Sequence, residues 1–285
     1  MQIRNPIEWG YDQIRLTAAA VGSAGRAVRG HTPVEAPPAV RRIAIGDLRD
    51  VLARGFDDFG ASRADVIFLC VVYPVVGLVL ARLIVGYEVL PLLFPIVSGF
   101  ALIGPVAAVG LYEISRRREQ GMTVTWADAF GVARSPSYAA IALLGLLLLA
   151  IFLAWLGAAW AIYRLTLGPA GPASALDFVR DVVTTPAGWA LAAIGIGVGF
   201  LFAVLALAVS VVSFPLLLDR DVGLIGAVGT SVRAVAANPG PMAAWGMIVA
   251  GGLVLGSLPA FLGLVVVMPV LGHATWHLYR KVVQR

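Results

Sequence analysis

The stretch LFPIVSGFALIGPVAAVGLYEISRRREQG, Leu93 to Gly121, joins an apolar run to an abruptly charged end. A hydrocarbon core of about 30 Å requires about 20 helical residues, and residues 90–112 supply them without an ionisable side chain. The run ends at Glu113, and three consecutive arginines follow at residues 116–118. Because short loops rich in arginine stay in the cytoplasm, this stretch predicts a transmembrane helix with a cytoplasmic exit.

The composition of the whole chain is also that of a membrane protein. Hydrophobic residues make up 60% of the 285 residues and charged residues 13%, against roughly 25% charged residues in soluble domains. The net charge of +5 comes from twenty arginines and one lysine, which lie near the ends of apolar runs. This distribution indicates positive-inside topology and not nucleic-acid binding. The single cysteine, Cys70, lies in an apolar run and excludes a disulfide within the chain.

Six apolar segments of membrane length follow one another in the chain. Short connections between neighbouring segments favour antiparallel pairs, so we expect an all-α polytopic membrane protein whose six transmembrane helices form three hairpins. The longest connection, residues 164–188, is expected on the periplasmic side, and both termini in the cytoplasm. The predicted spans are residues 66–87, 90–112, 138–163, 189–218, 241–258 and 259–278.

Residues 1–42 are expected to form a cytoplasmic N-terminal segment that contains a short surface helix, residues 5–18, and a flexible linker. The remaining residues, 43–285, form the six-span domain. The N-terminus has no apolar core or small-residue cleavage site, so it is not a secretory signal peptide. In the first span, Arg82 is expected to reach the headgroups along its long stem.

Short amphipathic helices are predicted before each hairpin, at residues 47–59, 123–134 and 222–237, and another at residues 176–183 in the long connection. In the first of them the apolar residues share one stripe. Two interpretations stay open: this helix lies along the membrane surface, or it packs on protein in the cytoplasm. The stripe consists of Leu48, Val51, Leu52, Phe56 and Phe59.

An amphipathic helix, a hairpin and a charged exit recur three times, which predicts an internal threefold repeat. Pro105 is followed by Glu113 and Arg116 at the same offsets at which Pro269 is followed by His277 and Arg280. The middle copy matches at Arg220, directly after Asp219. If the copies are related by an axis along the membrane normal, Arg116, Arg220 and Arg280 form a ring at one cytoplasmic mouth, with an acid reaching across between hairpins.

Four stretches together resemble a bacterial family of predicted integral membrane proteins, domain of unknown function 2189. They are YPVVGLVLA at residues 73–81, the opening stretch at 93–121, SFPLLLDR at 213–220 and PVLGHATWHLYRK at 269–281. The resemblance spans about residues 43–285 and implies a polytopic membrane protein without an activity that can be transferred. A cytochrome c oxidase label carried by some members is not supported, because this chain has only three histidines and six predicted spans. Richness in Ala and Arg indicates a bacterial inner membrane.

Two histidines are the only candidate metal ligands with suitable spacing. His273 and His277 stand four residues apart and share one helix face, but two ligands do not close a site. Beside Trp276 and Tyr279 they are better explained as part of an aromatic belt at the membrane surface. We therefore predict no metal site and no cofactor.

The candidate binding residues are the charged groups at the cytoplasmic exits: Glu113, Arg116, Asp219, Arg220, His277 and Arg280. No catalytic residues are predicted, because no nucleophile set or phosphate loop occurs in the sequence. The expected function is that of a non-enzymatic scaffold or accessory factor that binds lipid, such as anionic lipid, or another membrane protein complex. The alternative is a small-solute transporter or channel built from repeated hairpins, for which the prolines within the spans would supply broken helices.

Overall fold

A computed structural model describes residues 28, 38–61, 90–168, 172, 174–259 and 261–284. The named elements among these residues are all helices, and the one β-bridge joins Val40 to Val283. The first predicted span, with Cys70 and Arg82, and the predicted helix at residues 5–18 lie outside the described residues. The α-helices are α1 (Asp47–Ala61), α2 (Leu93–Ala107), α3 (Val109–Glu119), α4 (Tyr138–Thr166), α5 (Ala175–Thr184), α6 (Pro186–Ser210), α7 (Ser213–Asp219), α8 (Gly223–Ala237), α9 (Pro239–Ser257) and α10 (Leu264–Val282), and 3₁₀-helices cover Leu90–Leu92 and Trp126–Arg134.

Three helices in the described part of the chain are long and apolar enough to cross a membrane. They are Tyr138–Thr166, the continuous stretch Pro186–Asp219 that includes α6 and α7, and Pro239–Ser257. These helices coincide with the third, fourth and fifth predicted spans. α4 packs against α6, and α9 packs against α10.

The second predicted span is divided where the sequence predicted one continuous helix. α2 ends at Ala107 and α3 begins at Val109, so each part is shorter than a membrane crossing. Pro105 lies inside α2 just before the division, and a proline removes a helical donor and clashes with the preceding turn. The Ala108 amide still donates to the Gly104 carbonyl at 2.9 Å, so this backbone donor is satisfied at the break.

The fourth predicted span is interrupted at Val211 and Val212, between α6 and α7. The Val212 amide donates to the Ser231 hydroxyl of α8 at 3.2 Å, outside the regular helical pattern. The neighbouring Ser213 hydroxyl donates to the Val209 carbonyl at 2.5 Å. Backbone groups that lose a helical partner inside a membrane need another one, and here serine side chains supply it. Of the three glycines in this span, Gly199 lies against α4, where an added Cβ would be 3.0 Å from Trp155.

The sixth predicted span is helical only from Leu264. Phe261 has a φ of 66°, in the left-handed region, and lies in the turn between α9 and α10. α10 is not among the helices apolar enough to qualify as a span, because its second half carries two histidines, Arg280 and Lys281. It is nevertheless deeply buried, with α1, α3, α7 and α9 packed around it.

α1 packs on α10 and confirms the predicted amphipathic helix at residues 47–59. Its buried face is formed by Leu48, Val51, Gly55 and Asp58, whereas Phe56 is 56% exposed, so the predicted stripe is displaced around the helix. A Cβ at Gly55 would lie 2.7 Å from the Ala274 Cβ, so only glycine allows this close approach. Of the two interpretations, packing on protein describes this face.

The other predicted amphipathic segments are also helical. Residues 126–134 form a 3₁₀-helix that begins at a capping box of Thr125 and Asp128, residues 175–184 form α5, and residues 223–237 form α8. α8 is followed by Asn238, whose side chain accepts from the Ile43 amide at 2.7 Å and donates to the Arg41 carbonyl at 3.0 Å. These bonds attach the segment before α1 to the α8–α9 junction.

Candidate functional site

Charged and polar side chains from α1, α3, α10, the end of α7 and the 3₁₀-helix Trp126–Arg134 contact one another. We call this group the exit network. It contains all six predicted binding residues together with several that the sequence did not indicate. Its members are Asp58, Glu113, Ser115, Arg116, Arg117, Arg118, Glu119, Asp128, Asp219, Arg220, His273, His277 and Arg280.

Glu113 is a buried carboxylate enclosed by two arginines of its own helix. It is 2% exposed and accepts from Arg116 Nε and Nη2 at 2.8 and 2.9 Å and from Arg117 Nε at 2.7 Å. Positions three and four residues apart share a helix face, so the sequence EISRR builds this cluster locally. Arg117 also pairs with Asp128, and a Cβ at Gly131 would lie 2.6 Å from Arg117 Nη2. Glu113 is therefore fixed by ion pairs and is not exposed to a ligand.

Each of the three arginines of the predicted ring contacts another exit. Arg116 Nη1 donates to the Leu218 carbonyl of α7 at 3.3 Å. Arg220 Nη2 donates to the carbonyl of Gln284, beyond α10, at 2.6 Å. Arg280 Nη1 donates to Asp219 Oδ2 at 3.2 Å. Asp219 thus reaches across from α7 to α10, as the sequence predicted for one of the exit acids, whereas Glu113 pairs within its own helix.

Glu119 joins the first exit to α10, although sequence reasoning did not select it. Its carboxylate accepts from Trp276 Nε1 at 3.0 Å and from Arg280 Nε and Nη2 at 3.1 and 3.0 Å. Tyr279 donates its hydroxyl proton to Asp219 at 2.6 Å. Trp276 and Tyr279 are each 1% exposed, so the prediction of an aromatic belt at the membrane surface is wrong for them. Their polar tips bind the acids Glu119 and Asp219 on neighbouring helices.

Asp58 links α1 to α3 and α10. Its Oδ2 accepts from the Ser115 hydroxyl at 2.5 Å and lies 2.8 Å from His277 Nε2, and its Oδ1 accepts from Arg118 Nη1 at 2.7 Å. Burial raises the pKa of Asp58, but hydrogen bonds from His277 and Ser115 lower the pKa more, so it lies below its ordinary value. The sequence signal for this role is weak, because it consists of an acid on the apolar side of an amphipathic helix.

His273 is completely buried, and the interfacial position predicted for it is wrong. Its Nδ1 lies 2.8 Å from the Ser115 oxygen. The single Ser115 proton is donated to the Asp58 carboxylate, which only accepts, so the Ser115 oxygen must accept from a protonated His273 Nδ1. By the usual distance and angle criteria, His273 Nε2 has no hydrogen-bond partner among the described residues.

The two histidines do not converge on one ligand position. His273 turns Nδ1 toward Ser115, whereas His277 turns Nε2 toward Asp58. In the described part of the chain, no group of three or more His, Cys, Asp or Glu side chains is arranged to hold a metal ion. The chemistry that the exit network supports is hydrogen bonding and charge pairing between helices.

Comparison with known proteins finds that part of the chain is similar to one protein family. No curated protein and no solved structure matches the chain. The matched family model covers α2 to the end of α7, with Glu113, Arg116 and Asp219, and excludes α1 and α10. The matched stretch is therefore shorter than residues 43–285, over which the sequence resembles the family. The family resemblance is confirmed for residues 92–219, which match the family described as predicted integral membrane protein (DUF2189).

Proposed function

We propose that this protein is a non-enzymatic scaffold or accessory factor of a bacterial inner membrane, which binds anionic lipid or a membrane protein complex. In this proposal, residues 43–285 form six spans in three hairpins related by an internal repeat. Residues 1–42 and both termini lie in the cytoplasm, and residues 164–188 lie in the periplasm. The exit network then faces the cytoplasm.

The observation that carries the proposal is the ion-paired exit network above an apolar core. Leu144, Leu148 and Phe214 are fully buried in that core, while the charged groups gather at the exits and bind one another. Fixed charges that join four helices stabilise one arrangement of the bundle. Such an arrangement suits a protein that presents a constant surface, and an apolar core disfavours passage of a polar solute.

The membrane-length helices also present apolar surface outward. Leu146 and Leu153 of α4 and Phe200 and Leu201 of α6 are each more than half exposed in the isolated chain. In a bilayer these side chains contact lipid tails or helices of another protein. The outer face supplies the membrane contact, and the exits supply the polar contact.

The test is extraction of the full-length protein in polymer nanodiscs that retain the surrounding native lipid. We expect either enrichment of anionic lipid over the bulk membrane or a stoichiometric partner protein. An unrelated six-span protein of similar size, extracted in the same way, is the control. Discs whose lipid matches the bulk membrane and which contain no stoichiometric partner would contradict the proposal.

A second candidate, a small-solute transporter or channel, is favoured by the two helix divisions. α2 and α3 are separated at Ala108, and α6 and α7 at Val211 and Val212, and discontinuous helices form substrate sites in transporters. Proteoliposomes loaded with a panel of labelled ions, amino acids and sugars distinguish the two functions. Saturable flux of any one of them would favour transport over the scaffold.

A further inference from the structure

A cavity of about 270 Å³ opens beside the exit network, between α1, α10 and the two chain segments that flank the β-bridge. Its lining contains four cationic side chains, one acid, one histidine and two valines that are almost fully buried. We call it the basic cavity. The lining residues used below are Arg41, Arg54, Arg280, Lys281 and Glu119.

Two of the four cations already have acids as partners. Arg280 pairs with Glu119 and Asp219. Lys281 Nζ binds Asp47 at 2.9 Å and Asp50 at 3.0 Å, and the hydrogen bond to Asp47 raises the pKa of Lys281. These two cations are therefore charged and fixed in position.

The other two cations, Arg41 and Arg54, have no ion-pair partner among the described residues. Both are exposed, and both line the same cavity from different segments. The acid in the cavity lining, Glu119, is already paired with Arg280, so Arg41 and Arg54 can bind another anion. Their planar donors match the oxygens of phosphate, which they bind with two parallel hydrogen bonds.

The backbone on both sides of the cavity is fixed in advance. The Arg41 amide donates to the Val282 carbonyl at 2.7 Å, and its carbonyl accepts from Asn238 Nδ2. Arg54 precedes Gly55, where α1 touches α10. A site whose backbone is already ordered loses less entropy when a ligand binds.

From this geometry we infer that the basic cavity is a binding site for a phosphate ester, with the phosphate held by Arg41 and Arg54. The volume is just below the roughly 300–1,000 Å³ of drug-sized sites, so it suits a headgroup better than a large cofactor. The ester is either a lipid headgroup or a small soluble phosphate. This inference deepens the proposed function and rests on it only where the ligand is a lipid.

The test measures thermal unfolding of the purified full-length protein in neutral detergent. The probes are dihexanoyl phosphatidylglycerol, inorganic phosphate, and dihexanoylglycerol as a lipid without phosphate, all at constant ionic strength. A ligand that binds only the folded state raises the midpoint in a concentration-dependent manner, from which an apparent Kd follows. We expect saturable stabilisation by at least one phosphate probe and none by dihexanoylglycerol.

Matched variants locate the effect. R41Q and R54Q are expected to weaken binding about tenfold or more, whereas R42Q and R49Q, which replace exposed arginines outside the cavity lining, should change it less than about twofold. Unliganded midpoints equal to that of the unchanged protein show that the variants fold. Absence of saturable stabilisation by either phosphate probe, or equal weakening by R49Q and R54Q, would overturn the site.

The probes also separate this site from the proposed function. Stabilisation by phosphatidylglycerol alone identifies the ligand as lipid, and stabilisation by inorganic phosphate identifies a site open to soluble phosphate; both support the cavity. If neither probe binds but the nanodiscs contain enriched anionic lipid or a partner, the cavity proposal fails and the scaffold proposal stands.

Discussion

Replacing Asp58 by alanine tests whether the exit network holds α1 on α10. Asp58 is 7% exposed and is bonded to Ser115, His277 and Arg118. Removing one partner of a buried charged pair costs about 3–5 kcal/mol. Because the Arg118 side chain is 36% exposed and can regain water, we expect the lower limit, about 3 kcal/mol. At roughly 2–4 °C per kcal/mol, the unfolding midpoint should fall by about 6–12 °C.

The assay is thermal unfolding in mild detergent, followed by intrinsic fluorescence and by circular dichroism. D57A is the matched control, because Asp57 is an exposed neighbour on the same helix. Its backbone carbonyl, which accepts a hydrogen bond from Arg118, is retained in the alanine variant. A surface change of this kind should alter the free energy of unfolding by no more than about 0.5 kcal/mol. Equal midpoints for D58A and D57A would refute the assignment of Asp58 as the link between these helices.

Four further predictions use other features of the chain. Because the pKa of Asp58 is lowered in the folded state, its stabilising contribution is complete above its unfolded-state pKa and is lost as the pH falls through the folded-state value. Below about pH 4, the thermal unfolding midpoint should therefore fall more steeply with decreasing pH in the unchanged protein than in D58N. Gly55→Val should lower the free energy of unfolding by about 1–3 kcal/mol or more, because the added side chain overpacks the contact with α10. Gly60→Val, at a position with open space, should lower it far less, and chemical denaturation measures both. A reporter that is active only in the periplasm should be active when fused within residues 164–188 and silent when fused after residue 120. The reverse pattern would overturn the topology. The purified protein should show no Soret band and no stoichiometric metal by elemental analysis, and a Soret band lost on replacing either histidine of α10 by alanine would contradict this.

The sequence by itself determined the class of the protein and most of its helices. Length and hydrophobicity are local properties, so α4, the α6–α7 stretch and α9 could be located within a few residues of their ends. The pair of Glu113 with Arg116 is also local, because both lie on one face of α3.

Only the tertiary structure decided the environment of the polar groups. His273 and Trp276 occupy positions that suit a membrane interface in sequence, yet both are buried because α1, α3 and α7 cover α10. Asp58 lies 219 positions from His277, and no periodic pattern relates residues so distant. Whether a charged side chain meets water, lipid or an opposite charge depends on which helices pack around it. That packing is set by close approaches, such as Gly55 on Ala274, which the composition of a single helix does not reveal.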